Sequence, residues 1–116
     1  MTKHPTYNEK KELKSKYKNM YSQLELIVNN WDPIGLIAGG APSDEYDCIS
    51  VQLISMLIQD KNSKEIFDFI IFELDKHFGM GLDSITKEKK EQFMQNQFEF
   101  SESLIEWYKN IKKNNN

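Results

Sequence analysis

NSKEIFDFIIFELDKHFG, residues 62–79, decides the fold class of this chain. Its central run, residues 66–74, is apolar enough to form either a buried helix or a buried strand. Helix signals bound the run on both sides, because Asn62 or Ser63 can cap a helix N-terminus and Gly79 stands where a left-handed residue ends a helix. The stretch therefore predicts a helix, and its apolar side chains are expected to form the centre of the core.

A second helix is predicted before that stretch, from Ser43 onward. A serine hydroxyl can accept hydrogen bonds from free amides at a helix start, and the acidic residues that follow favour the positive end of the helix dipole. The helix is expected to be buried on more than one side, because its apolar positions are numerous: Tyr46, Cys48, Ile49, Val51, Leu53, Ile54, Met56 and Leu57.

The first predicted helix runs from residue 8 to residue 29 or 30. Asp32-Pro33 ends it, since the residue before a proline is pushed out of the α region. Apolar side chains recur three and four residues apart, which places them on one face. That face comprises Leu13, Tyr17, Met20, Leu24, Ile27 and Val28.

A last helix is predicted after Gly79, with Ser84 or Thr86 as its cap. Its expected core face comprises Phe93, Gln97, Phe100, Leu104, Tyr108 and Ile111. The sequence thus predicts an all-α fold, a compact antiparallel bundle of about four helices. One domain is expected over residues 1–116, a common domain size, with disordered ends at about residues 1–7 and 113–116.

Composition excludes several classes of function. All 15 basic residues are lysines, and the absence of arginine removes the side chain best suited to bidentate phosphate and guanine contacts. No run approaches the roughly 20 apolar residues of a membrane helix. Cys48 is the single cysteine, which suits a reducing compartment. We therefore expect a cytoplasmic protein that binds neither nucleic acid nor membrane.

Charge is segregated along the chain, although the net charge is only −3. Residues 1–30 carry six lysines against three acids, and residues 85–116 carry six against five. Residues 31–84 carry three lysines against ten acids. An acidic middle segment would speed encounter with a basic protein partner.

The candidate contact surface is the corner NWDPIGLIAGGAPSDEYDC, residues 30–48. Its two amphipathic aromatic residues are of the kind that anchor interfaces, and equally of the kind that cover a core. Its four carboxylates can meet a basic partner, whereas acids in a first helical turn also have a purely structural role. The predicted partner-binding residues are Trp31, Asp32, Asp44, Glu45, Tyr46 and Asp47.

Sites for chemistry are weaker interpretations of the same sequence. The carboxylates of Asp44, Glu45 and Asp47 could hold a divalent ion, but calcium-loop spacing and a nearby histidine are lacking. Glu73 and His77 are four residues apart and favour an ion pair over a metal site. Cys48 could be a nucleophile, yet its apolar helix face favours a core cysteine. We expect no catalytic residue, no cofactor and no metal.

Three motifs carry a family resemblance. "NWDPIGL", followed by "DEYDCISVQLISML" and closed by "ELDKHFGM", resembles the small bacterial helical proteins of the YugE-like family, whose function is unknown. The resemblance covers about residues 24–80. It implies a compact helical fold and a cytosolic bacterial setting, and it implies no catalytic residues, because the family has none assigned.

By type, the chain also looks like the immunity partners of bacterial toxin systems, which are often acidic and occlude a basic toxin. The leading expectation is thus a non-enzymatic protein-binding module, an immunity protein that covers a toxin surface. The alternative is a small regulatory or structural protein that forms homo-oligomers. Four aromatic residues of the last helix cannot all face one narrow stripe and would supply that surface: Phe98, Phe100, Trp107 and Tyr108.

Overall fold

Five α-helices account for most of the residues that the structure describes. The structure is a computed structural model, and it describes residues 6–33, 35, 37–41, 46–79 and 81–114. The helices are α1 (Tyr7–Lys16), α2 (Lys18–Trp31), α3 (Asp47–Ile58), α4 (Ser63–Phe72) and α5 (Lys87–Asn114). These residues contain no strand, so the predicted all-α class is confirmed for them.

The predicted first helix is divided into α1 and α2. Thr6 and Glu9 form a capping box at the start of α1, with Glu9 N donating to Thr6 Oγ1 at 3.2 Å and Thr6 N donating to Glu9 Oε1 at 3.1 Å. Tyr17 separates the two helices, at φ −117° and ψ 41°. The prediction of one continuous helix was therefore wrong. The sequence around Tyr17 contains no proline or glycine that would have indicated the break.

Contacts group the chain into two compact units, Met1–Ile58 and Gln59–Asn116. In the first unit, α1 packs against α2 and α3, and α2 packs against α3. The predicted burial of α3 on more than one side is confirmed, since polar Ser50 and Gln52 are buried with the apolar residues. The buried apolar residues of this unit are Tyr21, Leu24, Val28, Tyr46, Ile49, Val51, Leu53, Ile54 and Leu57.

The predicted core face of the first unit needs two corrections. Cys48 and Met56 are only half-buried on α3. On the first predicted helix, Leu24 and Val28 are buried, while the other four expected positions are half-buried: Leu13, Tyr17, Met20 and Ile27. Tyr17 leaves the helical conformation between α1 and α2, so one helical stripe does not continue from Leu13 into α2.

The second unit begins with α4, and Asn62 is its cap. Glu65 N donates to Asn62 Oδ1 at 2.9 Å. After Phe72 the helix widens into a π-helical turn, Glu73–His77, in which Phe78 N donates to the Glu73 carbonyl at 3.0 Å. Gly79 follows at φ +64°, the left-handed conformation expected of it.

α4 and α5 pack against each other and run antiparallel. Lys112 Nζ lies 3.8 Å from Asp60 Oδ1 at one end, and the ring centroids of Phe67 and Phe98 lie 5.6 Å apart further along. Thr86 is the cap of α5, since Lys89 N donates to Thr86 Oγ1 at 3.3 Å.

Burial in the second unit confirms part of the predicted core. The buried apolar residues are Ile66, Phe69, Ile70, Leu74, Leu82 and Leu104. Six expected core residues are half-buried instead: Phe67, Phe72, Phe93, Phe100, Tyr108 and Ile111. His77 is exposed, whereas Glu73 is only 1% exposed, a burial that its charge did not predict.

The predicted disorder at the two ends falls partly on residues 1–5 and 115–116, which lie outside the described residues. Where the chain is described, helices extend further than expected. Tyr7 already belongs to α1 because of the capping box, and α5 continues through Lys113 to Asn114.

The cap of α4 can be tested because two neighbouring residues were candidates. Asn62→Ala should lower the free energy of unfolding by about 1 kcal/mol, since the Glu65 amide loses its acceptor. Ser63→Ala removes the other candidate and should change stability by less than about 0.5 kcal/mol. Urea unfolding of both variants measures the difference, and equal losses would show that Asn62 is not the cap.

Candidate functional site

The corner between α2 and α3 begins where the sequence predicted it. α2 ends at Trp31, and Asp32 adopts a left-handed conformation at φ 39°. Gly35 and Gly40 also have positive φ, at +73° and +95°, which glycine adopts without a steric penalty. Among the described residues of the corner, 32–33, 35 and 37–41 lie outside any helix.

The Asp32 carboxylate organises this connection. Its Oδ1 accepts hydrogen bonds from Ile37 N at 3.0 Å and from the Tyr46 hydroxyl at 2.6 Å. Its Oδ2 accepts from Ala38 N at 2.9 Å. One side chain thus joins the end of α2, the loop and the residue that precedes α3, and it supplies acceptors for two loop amides.

The two aromatic residues of the corner have different environments. Tyr46 is 1% exposed and belongs to the core, so it is not the exposed anchor that one interpretation of the sequence required. Trp31 is half-buried, and its ring centroid lies 6.5 Å from that of Tyr46. Trp31 is the aromatic residue of the corner that retains surface for a partner.

Asp47, the first residue of α3, is the centre of a charged cluster. Lys14 Nζ lies 2.7 Å from its Oδ1, and Lys10 Nζ lies 3.4 Å from its Oδ2. The Tyr21 hydroxyl donates to the same carboxylate. The two lysines are four residues apart and therefore share a face of α1. Three helices meet at this one carboxylate.

Electrostatics favour the ionised form of Asp47. Its side chain is 14% exposed, and this burial raises its pKa. Hydrogen bonds from Lys14 and Tyr21, with the charges of Lys14 and Lys10, act in the opposite direction and leave the pKa below the usual value of 3.8. For Lys10, burial lowers the pKa, but Cys48 and Asp47 raise it above 10.5. Asp47 and Lys10 are therefore both charged in the folded protein at neutral pH.

Cys48 has a cationic neighbour that the sequence did not reveal. Lys10 Nζ lies 3.7 Å from Cys48 Sγ, although the two residues are 38 positions apart. Cys48 is a free, half-buried cysteine. Lys10, Lys14 and Tyr21 are the cluster residues that sequence reasoning missed, because their contacts are long-range and no local pattern marks them.

The remaining candidates of the corner are Asp44 and Glu45, which lie outside the described residues. Elsewhere, His77 Nδ1 lies 3.7 Å from Glu73 Oε1, which confirms the expected proximity of these two side chains. Among the described residues, no group of three or more His, Cys, Asp or Glu is placed to hold a metal ion. In the same part of the chain, no helix has the length and apolarity needed to cross a membrane.

No family model, curated protein or solved structure matches this chain. The resemblance to the YugE-like family and the likeness to immunity proteins therefore stay sequence-based hypotheses.

The Asp47 cluster predicts a pH-dependent stability. Asp47→Asn should lower the free energy of unfolding by about 1–3 kcal/mol at neutral pH, because two lysines lose a partly buried counter-charge. A folded-state pKa below the unfolded value makes this stabilisation complete above about pH 3.9 and lost as pH falls through the lowered pKa. Urea unfolding of wild type and variant should therefore differ near neutral pH and converge in acid.

Asp68→Asn is the matched control for this experiment. Asp68 is 56% exposed and pairs with Lys64 at 2.6 Å, four residues away on α4. Its loss should cost only about 0.3–0.5 kcal/mol. Equal effects of the two variants would show that the Asp47 cluster contributes no more than a surface ion pair.

Proposed function

We propose that this protein is a non-enzymatic protein-binding module, an immunity protein that neutralises a cognate bacterial toxin by occluding its surface. The observation that carries the proposal is the Asp32 carboxylate, which accepts hydrogen bonds from the amides of Ile37 and Ala38 next to a half-buried Trp31. Aromatic residues of this kind, held on a rigid support, are typical centres of binding energy.

Organisation before binding matters energetically. A loop that becomes ordered only in a complex loses conformational freedom at that moment, which weakens affinity. Here the amides of Ile37 and Ala38 and the hydroxyl of Tyr46 already bond to Asp32. These residues can therefore meet a partner with little further ordering.

The charges of the corner divide into two groups. Asp32 and Asp47 already have donors within the protein, and they hold the corner in place. Asp44 and Glu45 are the carboxylates that we assign to a basic surface of the partner. Exposed complementary charges raise the association rate more than the affinity, and salt weakens their effect. Trp31 would supply the apolar anchor.

The proposed setting follows from the resemblance to small bacterial helical proteins and from the single cysteine. We place the protein in the bacterial cytoplasm, acting without cofactor, metal or catalytic residue. The arrangement of the chain as one antiparallel bundle, and with it one domain over residues 1–116, also stays a prediction.

Self-association is the second candidate function, and one observation favours it. Several aromatic side chains of α4 and α5 are only half-buried, so apolar surface remains in contact with water. They are Phe67, Phe72, Phe98, Phe100, Trp107 and Tyr108. Light scattering that shows a monomer at every protein concentration would remove this candidate.

Capture from a bacterial lysate, followed by a neutralisation assay, tests the proposed function. Tagged protein should retain one stoichiometric partner at low salt and lose it as salt rises. Expression of that partner alone should arrest growth, and co-expression with this protein should restore it. Failure of co-expression to restore growth would contradict the immunity role.

The contact residues are tested with the same partner. Trp31→Ala should weaken binding about tenfold or more, because it removes the anchor. Asp44→Asn combined with Glu45→Gln should mainly slow association and flatten its salt dependence. Asp60→Asn combined with Asp83→Asn removes the same charge from side chains that are 77% and 94% exposed, and should bind like wild type. Unchanged affinity in the first two variants would exclude the corner as the contact surface.

A further inference from the structure

An open groove lies between α4 and α5 in the second unit. It has a volume of about 530 Å³, within the size range of small-molecule sites. Phe67 of α4 and Met94 and Phe98 of α5 line it, and all three are half-buried. The rings of Phe67 and Phe98 meet edge to face at 74°. The fold thus leaves an apolar floor that a second apolar group can cover.

Two parallel rows of α5 side chains define this groove, because residues four apart stack along a helix. One row is Lys90, Met94 and Phe98, so a lysine is followed along the groove by two apolar side chains. The other row starts with Lys87 and Glu91 and forms the polar edge. Cationic and apolar surfaces are therefore adjacent along one line.

The cations of the groove are accessible for an incoming anion. Lys90 Nζ is 3.7 Å from Asp83 Oδ1, but the Asp83 side chain is 94% exposed, so water screens this contact and a ligand can replace it. Lys64, which lies 6.0 Å from the centroid of Phe67, is instead held by Asp68 at 2.6 Å. Lys87 and Lys90 are thus the lysines that line the groove, against the single carboxylate of Glu91.

Glu91 sets a limit on the charge of the ligand. This residue also lines the groove, and its negative charge opposes a second negative charge on a ligand. The distance from Lys87 to Phe98 along α5 is about 16 Å at the helical rise per residue. The groove therefore suits one anionic head with an extended apolar body.

We propose that the groove formed by Phe67, Met94 and Phe98, with Lys87 and Lys90 at its end, binds a free medium-chain carboxylate from solution. The ammonium groups hold the carboxylate, and the alkyl chain covers the apolar floor. This binding site is separate from the corner of the proposed function, and neither proposal depends on the other.

Methyl NMR of the full chain tests the site. Methionine methyl groups are labelled with carbon-13, and Met94→Leu identifies the Met94 signal among the five methionines. Decanoate below its micellar concentration should shift this signal saturably. Decyltrimethylammonium, which has the same chain and the opposite charge, should shift it much less. Equal shifts, or shifts of all methionine signals together, would overturn the proposal.

Charge variants complete the test. Lys87→Gln combined with Lys90→Gln should weaken decanoate binding about fivefold, because two exposed ion pairs are lost. Lys109→Gln combined with Lys113→Gln changes the same charge on exposed positions of α5 and should bind like wild type. Identical affinities in the two double variants would overturn the assignment.

Other occupants are separated in the same experiment. A Met94 shift that follows protein concentration without any ligand would assign the groove to a second copy of the chain and would overturn the proposal. A Met94 shift with phosphatidylglycerol vesicles but not with decanoate would assign it to a lipid surface, with the same consequence.

Discussion

The contacts of the Asp47 carboxylate are the interaction on which the packing of helices in the first unit depends. It receives Lys10 and Lys14 from α1 and Tyr21 from α2, and it belongs to α3 itself. α1 contributes few buried apolar side chains, so much of its attachment is electrostatic. Removing charges from water costs free energy, and a partly buried ion pair offsets this cost only when its hydrogen bonds are satisfied. Here three donors satisfy one carboxylate, which explains why the cluster can be stable at low exposure.

A second carboxylate, Asp32, has a comparable local role at the corner. Asp32 takes a left-handed backbone conformation that few residues other than glycine adopt. Aspartate tolerates it better than most residues, and its two oxygens then reach two loop amides and the Tyr46 hydroxyl. Asp32 and Asp47 thus contribute to the acidic character of residues 31–84 while they hold parts of the protein together.

The second unit depends more on apolar packing. α4 supplies Ile66, Phe69 and Ile70 to its core, and the turn after α4 adds Leu74. Asp75 Oδ1 accepts from Leu82 N at 2.9 Å, and this hydrogen bond lowers the pKa of Asp75. One carboxylate therefore holds Leu82 in the connection to α5, as Asp32 holds Ile37 and Ala38 in the first unit. Two of the aromatic side chains that this packing leaves half-buried, Phe67 and Phe98, line the α4–α5 groove.

The sequence by itself determined the helical class and the left-handed Gly79, and it narrowed two helix caps to pairs of candidates, Asn62 or Ser63 and Ser84 or Thr86. These features depend on groups within about one helical turn, so local spacing carries the information. It also located the corner, since Asp32-Pro33 stops a helix by local sterics.

Only the tertiary structure decided which side chains meet. The contacts of Tyr21 with Asp47 and of Lys10 with Cys48 join residues 26 and 38 positions apart, and no periodic pattern specifies such pairs. The burial of Glu73 likewise depends on the helices packed around it, because a charged side chain takes its environment from its neighbours. For Tyr46, the structure decided between the two roles that the sequence left open, core residue and interface anchor. The break at Tyr17 has no local signal. α1 and α2 each pack against α3. Contacts of this kind between distant segments favour two separate helices, and local spacing in the sequence does not encode them.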